Sequence, residues 1–193
     1  LFQYDPLRTL ATLSQGFGDG FSGKRSVPFP CEAPHHLNQP SLSIIAMLTE
    51  AIYKRKAVQI TYVSLTSGET LREIVPHTLV DRGLRWHVRA YDRLQCAFRD
   101  FVLTRVKQCT FVTESTLNEA EQSTIDEQWN TVISLELVPH PNLKHQEAIA
   151  LDYAMTDGLK TIQIRAAMAG YLLRLWNVDC STDHHLTGAE YQL

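Results

Sequence analysis

The 193-residue chain contains no apolar run of the roughly 18–20 residues that a membrane helix needs. Its longest, residues 41–47, already holds two serines, which excludes a helical membrane span. Neither a signal peptide nor a basic leader is legible, so a cytoplasmic protein with no membrane partner is expected. Because it opens on Leu1, the chain is expected to be an ordered fragment of a longer protein. Cysteine is scarce: the four residues at 31, 96, 109 and 180 include no C-x-x-C and no close pair, which points to free or buried thiols instead of a disulfide framework. The eight histidines lack the tightly spaced partners of a zinc site, and no metal is expected. Signatures of catalysis are missing too, with no G-x-S-x-G, no H-E-x-x-H and no P-loop. The glycines around Gly16, Gly18 and Gly20 resemble a phosphate loop only loosely, since no Gly-Lys-Ser/Thr end follows them. Asp92 and Asp100 flank a turn, which is not a carboxylate cluster for metal-assisted hydrolysis. Neither an enzyme nor a cofactor is expected.

A uniform excess of positive charge is also absent, the formal net charge being -3, but the average conceals an asymmetry. Residues 71–107 hold seven Arg and one Lys against four acids, and residues 113–160 hold nine acids against two Lys. Two units with different tasks are implied, and their opposite charges should attract one another in the fold. Residues 1–40, with clustered glycines and then Pro28, Pro30, Pro34 and Pro40, read as a connector, with a short helix over 7–13. A helix is predicted over 41–55, capped by Ser41, with Ile45, Leu48 and Ile52 on its buried face. Strands are predicted at 58–64, 70–76, 84–91 and 98–105. Residues 113–128 form an acidic linker or helix, and a strand at 132–138, a helix at 142–155, a strand at 159–166 and a helix at 167–176 follow. The fold class is therefore α+β: a helix-capped small barrel over 41–112, then a smaller α/β unit over 129–193.

Within the basic segment, the two-residue period of a strand puts Arg85, His87, Arg89 and Tyr91 on one face. Trp86, Val88 and Ala90 fall on the other, Trp86 being expected in the core. Arg99 and Arg105 share a face with Phe101 and Leu103, Tyr62 lies beside Ser64 on the first strand, and His77 ends the second. Arginines supply planar paired donors and rings stack on bases, so such a face suits a nucleotide-like ligand. It equally suits a charged face whose arginines pair with Glu73, Asp92 and Asp100 across the strands.

Four segments carry a family resemblance: Ile60-Thr61-Tyr62-Val63-Ser64, Leu71-Arg72-Glu73-Ile74-Val75-Pro76-His77, Gly83-Leu84-Arg85-Trp86-His87-Val88-Arg89-Ala90-Tyr91 and Phe98-Arg99-Asp100-Phe101-Val102-Leu103-Thr104-Arg105-Val106. In this order they resemble a WYL domain, with Trp86-His87-Val88 in place of the Trp-Tyr-Leu run, as in regulators beside bacterial phage-defence islands such as those associated with BREX and CBASS systems. Residues 129–193 resemble the extension through which such proteins dimerise. The resemblance implies an Sm-like (SH3-like) β-barrel that senses a nucleotide or oligonucleotide effector within a homodimeric repressor. DNA would be reached through a winged helix-turn-helix that this chain lacks. The implied ligand-binding residues are Tyr62, Ser64, His77, His87, Arg89 and Arg99, with Arg72 and Arg105 as additional candidates. An Sm-like module that itself holds single-stranded nucleic acid is the alternative.

Overall fold

The structure, a computed structural model, describes residues 39–113 and 115–193 together with a short ladder nearer the N-terminus. The chain divides into two bodies, Leu1–Gln39 and Pro40–Leu193. In the first, β1 (Phe17–Gly18) pairs antiparallel with β2 (Arg25–Ser26). The helix expected over 7–13 lies outside the described residues.

The second body opens with α1 (Leu42–Lys54). Ile44, Leu48 and Ala51 form its buried seam, and Ile45 and Ile52 flank it. Ser41 occupies the N-cap position, but its hydroxyl bonds to that of Ser43 at 2.7 Å, and no side-chain cap forms. Arg55 closes the helix in the left-handed region, φ 51°. There follow β3 (Val58–Ser64), β4 (Gly68–Asp81), β5 (Trp86–Asp92), β6 (Ala97–Val102), a 3₁₀ turn (Leu103–Arg105) and β7 (Val106–Phe111). All five pair antiparallel in the order β6-β5-β4-β3-β7. The long β4 serves two neighbours: Gly68 to Ile74 pair with β3, and Ile74 to Asp81 with β5. Pro76, which has no N–H to give to a ladder, sits where the β4–β5 register shifts.

The expected barrel does not close, because the edge strands β6 and β7 share no ladder. In the 3₁₀ turn between them the Val106 N–H returns to the Leu103 carbonyl. Across the gap, the Val102 N–H on β6 donates to the Tyr62 hydroxyl on β3 (3.3 Å), and Tyr62 meets Phe101 edge-on with ring centroids 5.1 Å apart. These contacts tie the edge strand β6 to the interior strand β3. The core beneath α1 gathers Leu48, Val58, Ile60, Ile74, Val88 and Ala90. Trp86, expected there, is 45% exposed, since it stands at the first position of β5 beyond the covered part of the sheet.

The acidic segment forms neither a free linker nor a continuous helix. Its two 3₁₀ turns (Glu119–Glu121 and Ser123–Ile125) and one-turn α2 (Glu127–Asn130) lead into β8 (Val132–Leu137). Beyond come α3 (Gln146–Asp152), shorter than predicted, β9 (Lys160–Arg165) and α4 (Ala166–Leu175). β8 and β9 pair antiparallel, from Val132 opposite Arg165 to Leu137 opposite Lys160. Leu137, Ile149 and Leu193 form a second core with Ile162, Leu173 and Trp176 packed against it, while Leu151 points outward. No helix among the described residues is long and apolar enough to cross a membrane. The cysteines at 96, 109 and 180 are free thiols.

Candidate functional site

Both faces of β5 are buried. Val88 and Ala90 face the core, while the opposite side chains, His87 (8% exposed) and Arg89 (3%), are roofed by the acidic segment and α4. The Asp126 carboxylate lies at the centre. Its Oδ2 accepts from Arg89 Nε (2.5 Å) and His77 Nε2–H (3.1 Å), and its Oδ1 accepts from Arg89 Nη2 (2.7 Å) and the Trp129 N–H (3.2 Å). Thr78 Oγ1 lies 2.9 Å from His77 Nδ1, which leaves that nitrogen as the acceptor. Arg89 Nη1 reaches Asp100 Oδ2 at 3.2 Å, which Arg82 Nη2 approaches to 2.6 Å. Arg82 is 5% exposed and lies over the Tyr171 ring of α4. None of its guanidinium nitrogens is aligned for a hydrogen bond, so the contact with Asp100 is one of charge alone.

The charges follow from these contacts. Burial favours a neutral Asp126, but its bonds to Arg89 outweigh it and hold the carboxyl below the usual aspartate range. For Arg89, burial is likewise overcome by Asp126 and Asp100, and the guanidinium stays protonated. Burial leaves His77 neutral, because Asp126 offsets it only in part. His87, which donates from Nδ1 to the Arg85 carbonyl (2.9 Å), is pushed down to about 4, first by burial and then by Arg82. Between 6.5 and about 4 the unfolded chain therefore binds a proton at His87 that the folded chain does not, and stability falls with pH across that window. The expected loss is on the order of 2–3 kcal/mol. Urea unfolding at neutral pH and at acid pH, with His87→Gln alongside, checks this: the substitution should flatten the pH dependence, and an unchanged slope would refute it.

A second acid–arginine pair fastens the other end of the segment. Arg93 donates Nε and Nη2 to Glu121 (2.6 and 2.8 Å), Nη1 to Glu73 (3.3 Å) and Nη2 to the Thr116 carbonyl (3.2 Å). Glu121 also accepts from the Asn118 N–H, completing a capping box. Tyr91, Arg93, Cys96, Ser115, Thr116, Asn118 and Glu121 line a polar recess of about 420 Å³ there.

The residues singled out from sequence thus part company. His77 and Arg89 meet at Asp126, and His87 lies on the same roofed face. Tyr62 is turned into the core. Ser64 turns back on its own hairpin, its Oγ 3.1 Å from Thr66 Oγ1. Arg72 donates to Asp92 (2.5 Å) and Thr70 (3.0 Å). Exposed Arg99 and half-buried Arg105 make no ion pair with the described residues. Arg82, Arg93, Glu121 and Asp126 were not singled out, although the opposed charges of the two segments carried the signal. In the C-terminal unit, His140, Asp179 and His184 offer ligand atoms within 4.8 Å of one another. The Asn142 N–H donates to His140 Nδ1 (3.2 Å), which leaves the proton on Nε2, given to Asp179 at 3.2 Å. That pair ties down the C-terminal tail, for Asp179 also accepts from the Ser181 and Leu186 N–H groups.

The sheet and the C-terminal unit are in direct contact. Arg82 lies on Tyr171, and the acidic segment is joined to the same unit where Arg165 lies over the Trp129 ring at 4.7 Å and the Ala166 N–H donates to the Thr131 carbonyl (2.9 Å). Gly83, at φ 78° in the β4–β5 turn, leaves room for Leu175 of α4, which a Cβ there would meet at 2.8 Å.

Comparison with known proteins matches residues 43–111 to the WYL domain and residues 132–193 to the "BrxR transcriptional regulator, C-terminal dimerization domain". The "DNA-binding transcriptional repressor CapW" of Pseudomonas aeruginosa is 37% identical over 70% of this chain and 45% of its own length. Its namesake from Escherichia coli is 32% identical over 78% and 50% respectively. The chain spans about half the length of these curated relatives. A solved structure, proteasome accessory factor B/C (PafBC) of Arthrobacter aurescens, superposes with a TM-score of 0.39 at 21% identity over 72% of this chain and 24% of that one, a likeness too distant to bear on the fold. The matched families and the repressors are regulators, not enzymes. The arginine-rich sheet and the C-terminal unit it meets at Arg82 and Tyr171 coincide with these two matches, and the chain carries a WYL domain followed by a BrxR-type C-terminal dimerization domain.

Proposed function

We propose that this chain is the effector-sensing and dimerising part of a cytoplasmic bacterial transcriptional repressor that controls phage-defence genes. The effector is a nucleotide or a short oligonucleotide bound at the arginine face of the WYL sheet. Tyr62, Ser64, His77, His87, Arg89 and Arg99 are its proposed contacts, with Arg72 and Arg105 at the margin. The C-terminal unit pairs two copies as a homodimer, and DNA is read by a domain outside this chain. The observation that carries this reading is the cradle of Arg89 and His77 around one carboxylate, with Arg82 beside it, at the point where sheet and dimerization unit meet. Planar paired guanidinium donors, with an imidazole N–H beside them, suit a phosphate group.

Equilibrium binding of the chain to mononucleotides, cyclic nucleotides and short DNA and RNA strands, over a salt series, tests it. Arg99→Ala serves as a variant that breaks no ion pair. Saturable binding of one small nucleotide, with a shallow salt slope and weakened by Arg99→Ala, is expected. Binding that strengthens with strand length and falls steeply with salt would make the sheet a strand-binding surface instead. No binding at all would leave the arginines a structural network.

A further inference from the structure

The acidic segment gives the sheet's arginines the same kind of partner that an effector phosphate would. Three of the four donors on Asp126 come from the sheet, namely two from Arg89 and one from His77, and they stay in place if the carboxylate leaves. Beside them Arg82, 5% exposed and held to Asp100 by charge alone, carries guanidinium nitrogens that no hydrogen bond satisfies. A carboxylate has two oxygens and fills only part of this set; a phosphate monoester has three terminal oxygens. The segment itself has little apolar anchorage: Ile125 is 48% exposed, Glu127 and Gln128 are exposed, Leu117 is half-buried, and Trp129 lies against His77 and Arg165. Its hold on the sheet is therefore chiefly ionic, through Asp126 and Glu121, and another anion can compete for it. Its far end is bonded to the dimerization unit through the Thr131 carbonyl and Arg165.

We propose that residues 115–131 are a tethered occupant of the arginine site: a phosphate-bearing effector exchanges with the Asp126 carboxylate on Arg89, and release of the segment changes how the C-terminal unit is held against the sheet. The inference rests on the effector-binding reading above and adds the regulation of that site. Coupling follows because the effector and the docked segment need the same donors, so each weakens the other's hold.

The test uses inorganic pyrophosphate with the whole chain, Trp86→Phe and Trp176→Phe leaving Trp129 as the fluorescent reporter. Two further substitutions loosen the segment in different ways. Asp126→Asn removes the competing charge, and Trp129→Ala, assayed by calorimetry in the otherwise native chain, leaves Arg89 its carboxylate, so that no buried charge is uncovered. Pyrophosphate should bind both at least about tenfold more tightly than the unaltered chain. It should shift Trp129 emission toward that of an exposed indole, and Arg89→Lys should weaken it. Equal affinity for the chain and both variants, with Trp129 emission unchanged, would overturn the tether while leaving the effector reading intact. Tighter binding that ignores Arg89→Lys would place the anion elsewhere and also overturn it. No binding to any form removes the effector reading, and the tether with it.

Discussion

Asp126→Ala is expected to destabilise the fold by about 3–5 kcal/mol, the usual cost of taking one partner from a buried ion pair. The carboxylate is 1% exposed and accepts from Arg89, His77 and the Trp129 N–H; without it, Arg89 keeps a 3.2 Å contact with Asp100, an acid that Arg82 already shares, and a long 3.4 Å bond to the neutral Gln128 side chain. The loss comes from an uncompensated guanidinium more than from the missing attraction. Arg89→Met combined with Asp126→Leu should therefore recover most of it, since apolar replacement of a whole buried pair is often neutral. Urea unfolding of Asp126→Ala measures the first statement, and Arg89→Met, Asp126→Leu and their combination, read as a thermodynamic cycle at constant m-value, measure the second. A cost below about 1 kcal/mol for Asp126→Ala would mean that the pair is solvated, as surface ion pairs are, and that the segment does not dock as described.

Phe101→Ala is the second large effect, at about 3–5 kcal/mol. Phe101 is 3% exposed and lies against Tyr62, where the edge strand β6 approaches β3. Truncation leaves a cavity in the contact that holds β6 to β3, where no ladder substitutes for it. Tyr62→Phe is a finer probe of the same junction. It keeps the ring and removes the acceptor of the Val102 N–H, so it should cost about 1 kcal/mol and speed exchange of that amide. Exchange at Val102 unaltered by Tyr62→Phe would show that the hydroxyl does not bridge the strands.

Much of this architecture was written locally. The three-to-four spacing of Ile45, Leu48 and Ile52, the β-branched alternation of Val58 to Ser64 and the turn at Gly83 placed α1, β3 and the β4–β5 connection. Each depends on a few adjacent residues, and periodicity reports it directly. Where the reading failed, the deciding contact was distant in sequence. Trp86 has the parity of a core residue, yet at the strand's first position nothing covers it. The Tyr62 hydroxyl likewise accepts from the backbone amide of Val102, forty residues on, a contact that strand parity does not report. The closed barrel expected from strand count became an open sheet because closure depends on whether the two edges find a ladder, and strand count does not specify that.

The candidate site shows the same division. Composition alone established a basic segment, an acidic one and their mutual attraction, since net charge is additive along a chain and needs no coordinates. The pairing of Glu73, Asp92 and Asp100 with nearby arginines was legible as well, as cross-strand geometry lies within reach of strand parity. Which arginine would receive Asp126, 37 residues away, was decided only in three dimensions. Burying one ion pair demands that its satisfying donors converge from β4, β5 and α2 at once, and convergence of that kind is a property of packing, not of order along the chain.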